Sequence, residues 1–323
     1  MKLTNMELNK FNFTMKKELE TLVYMYSSFL KRKYGMKVFR VGLSTGLTCP
    51  HRIKTGGCIF CHPATFTGEY QSAVFSIEEQ LNKAVPRIKK TCGAVKLLAY
   101  FQDETSTAGE LVYLDKKYRS AVEHPDIIGL IVSTRPEYVN QKIIDLLKSY
   151  NVPVTIEIGL QTAKEESLKF LNRGHDLNDV KKAINLCEQN HLDLGVHIII
   201  GIPGETIEDM QNTIQFINSC QTIKEIKFHN LVVYKQTPLA VLYQQNKFKI
   251  LNIDEYISIL CQLIPYLRGD IVISRFFTSN IRRTQIALGD YSGSKPEWLN
   301  KLRLALIQQN IFQGCKTGKP YQP

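Results

Sequence analysis

Three cysteines in one short stretch carry the strongest chemical signal in this sequence. Cys49 is followed after eight residues by Cys58, and Cys58 after two by Cys61, within TCPHRIKTGGCIFCHP. Thiolates are soft ligands that favour zinc or iron–sulfur clusters. A cubane cluster takes four ligands and this loop offers three cysteines, so one iron would stay open to a cofactor. The competing reading is a zinc knuckle completed by His51 or His62. Structural zinc usually draws its ligands in two pairs, and the sequence has no second Cys-x-x-Cys. Gly56 and Gly57 permit a backbone wrapped closely round a ligand, and Pro50 and Pro63 bound the segment. Cys92, Cys187, Cys220, Cys261 and Cys315 are isolated; Cys187 and Cys220 fall on helical patterns as small core residues, and Cys315 is read as exposed.

A ligand loop needs a scaffold, and the pattern on either side of it is an alternation of strands and helices. Apolar positions from 16 to 32 follow helical spacing, predicting a leading amphipathic helix. Strands are predicted at Val38 to Leu43, Val95 to Phe101, Ile127 to Val132, Val154 to Leu160, Leu194 to Ile200 and Glu225 to Val232, with helices between them. Runs such as IIGLIV and HIII are those of a parallel sheet buried on both faces. Six units suggest a partial barrel, although an open doubly wound sheet gives the same alternation. The cysteine loop follows the first strand, at the carboxyl end of the sheet, where such folds place their chemistry. Beyond residue 238 the pattern changes to helices near 253–267 and 296–309 around Ile271-Val272-Ile273, giving segments 1–35, 36–237 and 238–323. The terminal KTGKPYQP is expected to fray.

Eight cysteines in 323 residues are too few and too scattered for a disulfide scaffold. No run of about 18 apolar residues occurs, and the N-terminus lacks the apolar core of a signal peptide. A soluble, cytoplasmic protein with no membrane partner is expected. The net charge of +11 makes nucleic acid a candidate partner, although the basic residues form only short clusters such as Lys31-Arg32-Lys33 and Arg282-Arg283.

In these residues the chain resembles the radical S-adenosylmethionine (SAM) superfamily, whose motif of three cysteines ends in Cys-x-aromatic-Cys, matched by Cys58, Phe60 and Cys61. The gap from Cys49 to Cys58 is longer than the one commonest there. The resemblance spans residues 36 to 315. It is closest to the elongator-type and coproporphyrinogen-oxidase-type branch, and within it to bacterial YhcC/YtqA-like proteins. The carrying segments are STRPEYV at 133–139, EIGLQTAKEESLKFLNRGHD at 157–176, HIIIGIPGET at 197–206 and IKFHNLVVYKQTPL at 226–239.

The resemblance implies an α/β fold: a partial (βα)6 TIM-like barrel with an N-terminal helix and a C-terminal α/β extension. It also implies a 4Fe-4S cluster on Cys49, Cys58 and Cys61, with SAM chelating the open iron and electrons from a reduced flavodoxin or ferredoxin-type donor. Cleavage of SAM would then give methionine and a 5'-deoxyadenosyl radical. The matching positions assign the SAM amino group to Gln102, further SAM contacts to Ser133, Arg135, Glu157 and Gln161, and the carboxylate to Arg173 and His175. Gly174 between that last pair is read as a helix cap. Gly201 and Pro203 would lie beside the adenine in a turn that opens a helix, whose N–H groups can receive polar ligand groups. His229 is read as a substrate contact and His197 as core. The branch suggests tRNA, at a wobble uridine side chain, as substrate. A small metabolite or tetrapyrrole is the alternative, and a non-catalytic zinc-stabilised nucleic-acid-binding protein a third reading.

Overall fold

A computed structural model describes residues 18–65, 68–278, 287–289 and 292–323. The first 17 residues and the Arg282-Arg283 pair lie outside the described residues. In chain order the elements begin α1 (Leu19–Leu22), α2 (Tyr26–Tyr34), β1 (Val38–Leu43), α3 (Pro50–Thr55), α4 (Ile77–Cys92) and β2 (Lys96–Phe101). They continue α5 (Leu111–Val122), β3 (Ile127–Thr134), α6 (Gln141–Lys148), β4 (Val154–Gln161), α7 (Glu165–Phe170), α8 (Leu177–Gln189), β5 (Asp193–Ile200), α9 (Ile207–Ser219) and β6 (Ile223–Asn230). The chain then forms β7 (Val233–Tyr234), α10 (Pro238–Gln244), α11 (Ile253–Leu263), β8 (Val272–Arg275), β9 (Ala287–Leu288) and α12 (Lys295–Gln308).

Seven strands form one sheet in the order β1-β2-β3-β4-β5-β6-β8, all neighbours parallel. It curls as a partial TIM-like barrel, which decides between the two architectures that the alternation left open. The apolar run at 271–273 supplies β8, so the C-terminal segment extends the sheet beyond its sixth strand. Strand alternation sends Val41, Phe101, Val132, Ile158, Val196 and Phe228 into the main core. The intervening positions Arg40, Tyr100, Glu157, His197 and Lys227 meet one another on the opposite face, inside the barrel. The interior is therefore polar, which the near-continuous apolar reading of the strands did not anticipate.

The leading amphipathic helix is broken into α1 and α2 by extended residues from Val23 to Met25. The break is used: the Ile273 N–H donates to Tyr24 O at 2.8 Å and Met25 bridges β8, so the N-terminal chain borders the last strand. The aromatic face of α2 then packs with Val38, Leu98, Tyr100 and Ile131 at the amino end of the barrel. Arg32 of the basic cluster lies over the Tyr24 ring and donates to Tyr321 Oη at 3.0 Å, so that charge is tied to the scaffold. The C-terminus does not fray. Tyr321 is buried, stacks on Tyr24 with ring centroids 5.2 Å apart and donates its N–H to Gln313 O. Cys187 is buried in the core, whereas Cys220 and Cys315 are half-buried. Among the described residues no helix is long and apolar enough to cross a membrane.

Candidate functional site

The cysteine loop begins where β1 ends, and buried polar side chains fix its first residues. Gln80 of α4 accepts from the Ser44 N–H and donates to Ser44 O, while Asp103 after β2 accepts from Ser44 Oγ at 2.5 Å and from the Thr45 N–H. Cys49 precedes the single short helix α3, which ends at Gly56. Gly56 and Gly57 adopt φ of 81° and 87°, a region that costs other residues energy, and the turn folds back on Arg52. The returning chain is clamped from across the barrel: the Ile59 N–H donates to Leu171 O and Asn172 Nδ2 to Gly57 O at 2.7 Å. His51 Nε2 meets Asn172 O at 2.6 Å and Thr55 Oγ1 meets its Nδ1 at 3.1 Å, so His51 braces the loop.

All three cysteines line one cavity of about 260 Å³ at the carboxyl end of the strands. Three arginines aim at their sulfurs or at the groups beside them. Arg173 Nη1 donates to Cys58 Sγ at 3.1 Å, Arg135 Nη1 approaches the same sulfur at 3.6 Å, and Arg52 Nη2 donates to Cys61 Sγ at 3.3 Å. Burial opposes ionisation of Cys58, but Arg173, His51 and Arg135 outweigh it and lower the thiol to about 6. Burial and the neighbouring Cys58 charge push Cys61 up to about 11 against the pull of Arg52. Cys58 is thus poised as a thiolate beside a Cys61 thiol, and a metal that displaces the Cys61 proton would be needed for both to ligate.

Of the expected cofactor contacts, Gln102, Ser133, Arg135, Gln161 and Arg173 line this cavity, as does the expected substrate contact His229. Glu157, His175, Gly201 and Pro203 do not. Glu157 is fully buried below the cavity, where Arg40, His197 and Lys227 all bind its carboxylate at 2.9, 2.8 and 2.5 Å; these partners hold it well below the ordinary carboxylate range despite burial. His175 stands behind Arg135, with Nδ1 3.4 Å from Glu137 Oε2. Gly201 abuts Leu251, and the helix after Pro203 caps itself: Thr206 Oγ1 accepts from the Asp209 N–H, and Asp209 accepts from the Thr206 N–H. That helix end keeps its first donors for its own side chains. Gly174 caps no helix, since α7 ends at Phe170 with Leu171 as its cap; a Cβ at 174 would collide with the His51 ring.

Several cavity residues were missed by reading the sequence. Arg52 pairs with Glu104 at 2.5 Å, and Glu104 accepts the Cys49 N–H. Tyr100, Thr105 and Arg275 also face the cavity. Only Arg52 had a local signal, its place between two cysteines. His197, read as core, lines the cavity as well and stacks on His229 with centroids 5.5 Å apart.

Thiol donors backed by guanidiniums suit a sulfur-ligated cluster with a net negative charge. The buried Arg173 Nε and Thr105 Oγ1 have no hydrogen-bond partner, which suits a further polar ligand beside it. Among the described residues no three His, Cys, Asp or Glu side chains form a ready-made metal cage, so ligation would gather the thiols.

Residues 43–217 match the model of the radical SAM superfamily, and residues 223–308 that of a radical SAM C-terminal domain. Protein YhcC of Escherichia coli is 31% identical over 95% of this chain and 99% of its own length. A tRNA uridine(34) acetyltransferase of Methanocaldococcus jannaschii is 23% identical over 89% of this chain and 59% of its own. Among solved structures, an archaeal Elp3 from Methanocaldococcus infernus aligns with a TM-score of 0.68 at 19% identity, covering 86% of this chain and 64% of that one. This likeness supports the fold, and the present chain spans just under two thirds of that structure.

Proposed function

Since the chain is an enzyme of the radical SAM superfamily, we propose that it binds a 4Fe-4S cluster on Cys49, Cys58 and Cys61, cleaves SAM reductively there, and modifies tRNA at a wobble uridine side chain. The observation that carries the chemistry is the gathering of three cysteines, three arginines and the strand-end polar residues on one cavity. When bound, the reduced cluster and SAM supply a 5'-deoxyadenosyl radical able to take a hydrogen from substrate.

The chain's own residues have definable tasks in this reading. Arg173 and Arg135 stabilise negative charge on Cys58, and Arg52 does so on Cys61. Gln102, Ser133 and Gln161 offer neutral donors and acceptors at the ends of β2, β3 and β4, suited to the amino and ribose groups of SAM. Ile199, Leu231 and Val232 form an apolar wall that excludes water from a reactive intermediate. The tRNA assignment rests on the net charge of +11 and on the similarity to the M. jannaschii tRNA uridine(34) acetyltransferase.

The test is anaerobic reconstitution with iron and sulfide, reduction with dithionite, and assay for 5'-deoxyadenosine after adding SAM. Its formation is expected, followed by an altered uridine in tRNA nucleoside digests only when enzyme is present. Tight zinc with no iron uptake would overturn the reading, and unaltered tRNA nucleosides alongside SAM cleavage would overturn the substrate.

A further inference from the structure

Inside the barrel, below the cysteines, the inward-facing charges do not balance. Arg40, Lys227 and Arg275 meet only Glu157 and Glu225 there. Arg40 binds Glu157 at 2.9 Å and Glu225 at 2.6 Å, and Lys227 binds Glu157 at 2.5 Å and Tyr100 Oη at 2.7 Å. The side chain of Arg275, the last residue of β8, makes no hydrogen bond or ion pair with a described residue and lines the cavity. Arg275 is half-buried at the cavity, so its guanidinium is partly desolvated with no counter-charge in hydrogen-bond contact, and a ligand that brings a negative charge would supply one.

The residues beside Arg275 share the incompleteness. His229 lines the same wall, and its Nε2 is buried without a partner. Burial, and then the charge of Arg275, hold His229 neutral, so Nε2 can carry a proton and donate it in a hydrogen bond without adding a second charge. His197 Nε2 is committed to Glu157 at 2.8 Å, which fixes the ring against which His229 stacks. Asn230 Oδ1 accepts from the Thr278 N–H, leaving its amide N–H2 as a further donor in the cavity lining.

We infer that Arg275, with His229 Nε2–H, forms a subsite for an anionic oxygen group of the substrate, a phosphate or a carboxylate, on the cavity wall formed by β6 and β8. The inference rests on the proposed function, since it takes the cavity to be where substrate meets SAM. A guanidinium presents two parallel N–H groups to such an oxyanion, and an imidazole N–H adds a third donor. The subsite lies apart from Arg52, Arg135 and Arg173, whose guanidiniums are turned to the sulfurs.

The test uses the reconstituted full-length protein, with calorimetric titration of inorganic phosphate, uridine 5'-monophosphate and succinate into wild type, Arg275→Gln, Arg275→Lys and His229→Ala. At least one anion is expected to bind wild type, with affinity reduced at least tenfold by Arg275→Gln and partly restored by Arg275→Lys. Preference for the phosphates supports a nucleotide substrate, and preference for succinate a carboxylate one. Binding of no anion by wild type, or equal binding by a folded Arg275→Gln protein, overturns the subsite. SAM cleavage by wild type is measured alongside: its failure refutes the proposed function, while anion binding reports on Arg275 independently.

Discussion

The two ends of the barrel interior are both charged, yet they are built in opposite ways. At the floor, Arg40, Glu157, Glu225, Lys227 and Tyr100 bind one another, with Arg40 Nε the single buried side-chain polar atom of these five left without a hydrogen bond, and the Tyr26 ring covers Arg40 at 4.0 Å from its centroid. At the mouth, Arg173 Nε, Thr105 Oγ1 and His229 Nε2 are buried and unpaired. A nearly closed network of this kind fixes a structure, because each member is costly to remove. An open one costs the protein stability unless something binds, and the mouth of a barrel is where such a cost is repaid by function. The comparison therefore assigns the floor to folding and the mouth to ligands.

The sharpest break of the comparison comes from the cysteines. Replacing Cys49, Cys58 or Cys61 individually by Ala should abolish cluster uptake and SAM cleavage, read by iron content and 5'-deoxyadenosine. Unfolding of the apo protein should shift far less than for a floor variant. If iron uptake survives in all three variants, the mouth is not a cluster site. Next in size is Glu157→Ala, which strands Lys227 in the buried floor, leaves Arg40 with Glu225 alone, and should destabilise the apo protein by about 3–5 kcal/mol in urea unfolding. A loss below about 1 kcal/mol would mean that the floor is not the scaffold argued here.

The same contrast explains what was legible in the sequence. The cysteine loop is local, so spacing alone brought its three thiols together, and the βα alternation was readable because each strand and helix carries its own period. The floor is assembled from residues 40, 100, 157 and 227, one from each of four strands, and no local pattern joins them. Glu157 sat in a segment that resembled a cofactor contact, yet two cations, Arg40 and Lys227, and the neutral His197 draw it inward. Arg275 was invisible for the same reason: its strand reads as a four-residue fragment, and only pairing with β6 carries it to the cavity. The C-terminal tail looked disordered by composition, but Tyr321 and Gln313 dock it through contacts with residues near position 24.

The smallest effect concerns Arg135, a cation at the mouth with an internal counter-charge. Glu137 accepts from Arg135 Nε at 2.5 Å and faces His175 Nδ1 at 3.4 Å. Burial works against the Glu137 carboxylate, but His175 and Arg135 hold it at about 2, against an ordinary 4.5. A depressed acid contributes stability that is complete above its unfolded value and is lost as pH falls toward the folded one, so its window runs from about 4.5 down to about 2. Burial chiefly holds His175 down at about 4 from 6.5, so it too costs stability as pH falls, but over the higher window from 6.5 to 4, where the unfolded imidazole takes the proton first. Because Glu137 is partly exposed, its share is about 1–2 kcal/mol after allowing for solvent screening. Apo Glu137→Gln should therefore be less stable than wild type at pH 5.5, and the gap should close as pH falls toward 2.5 in urea unfolding. A gap that stays constant with pH would mean that the carboxylate charge is not what holds Arg135, and the internal pairing at the mouth would then rest on Arg52 and Glu104.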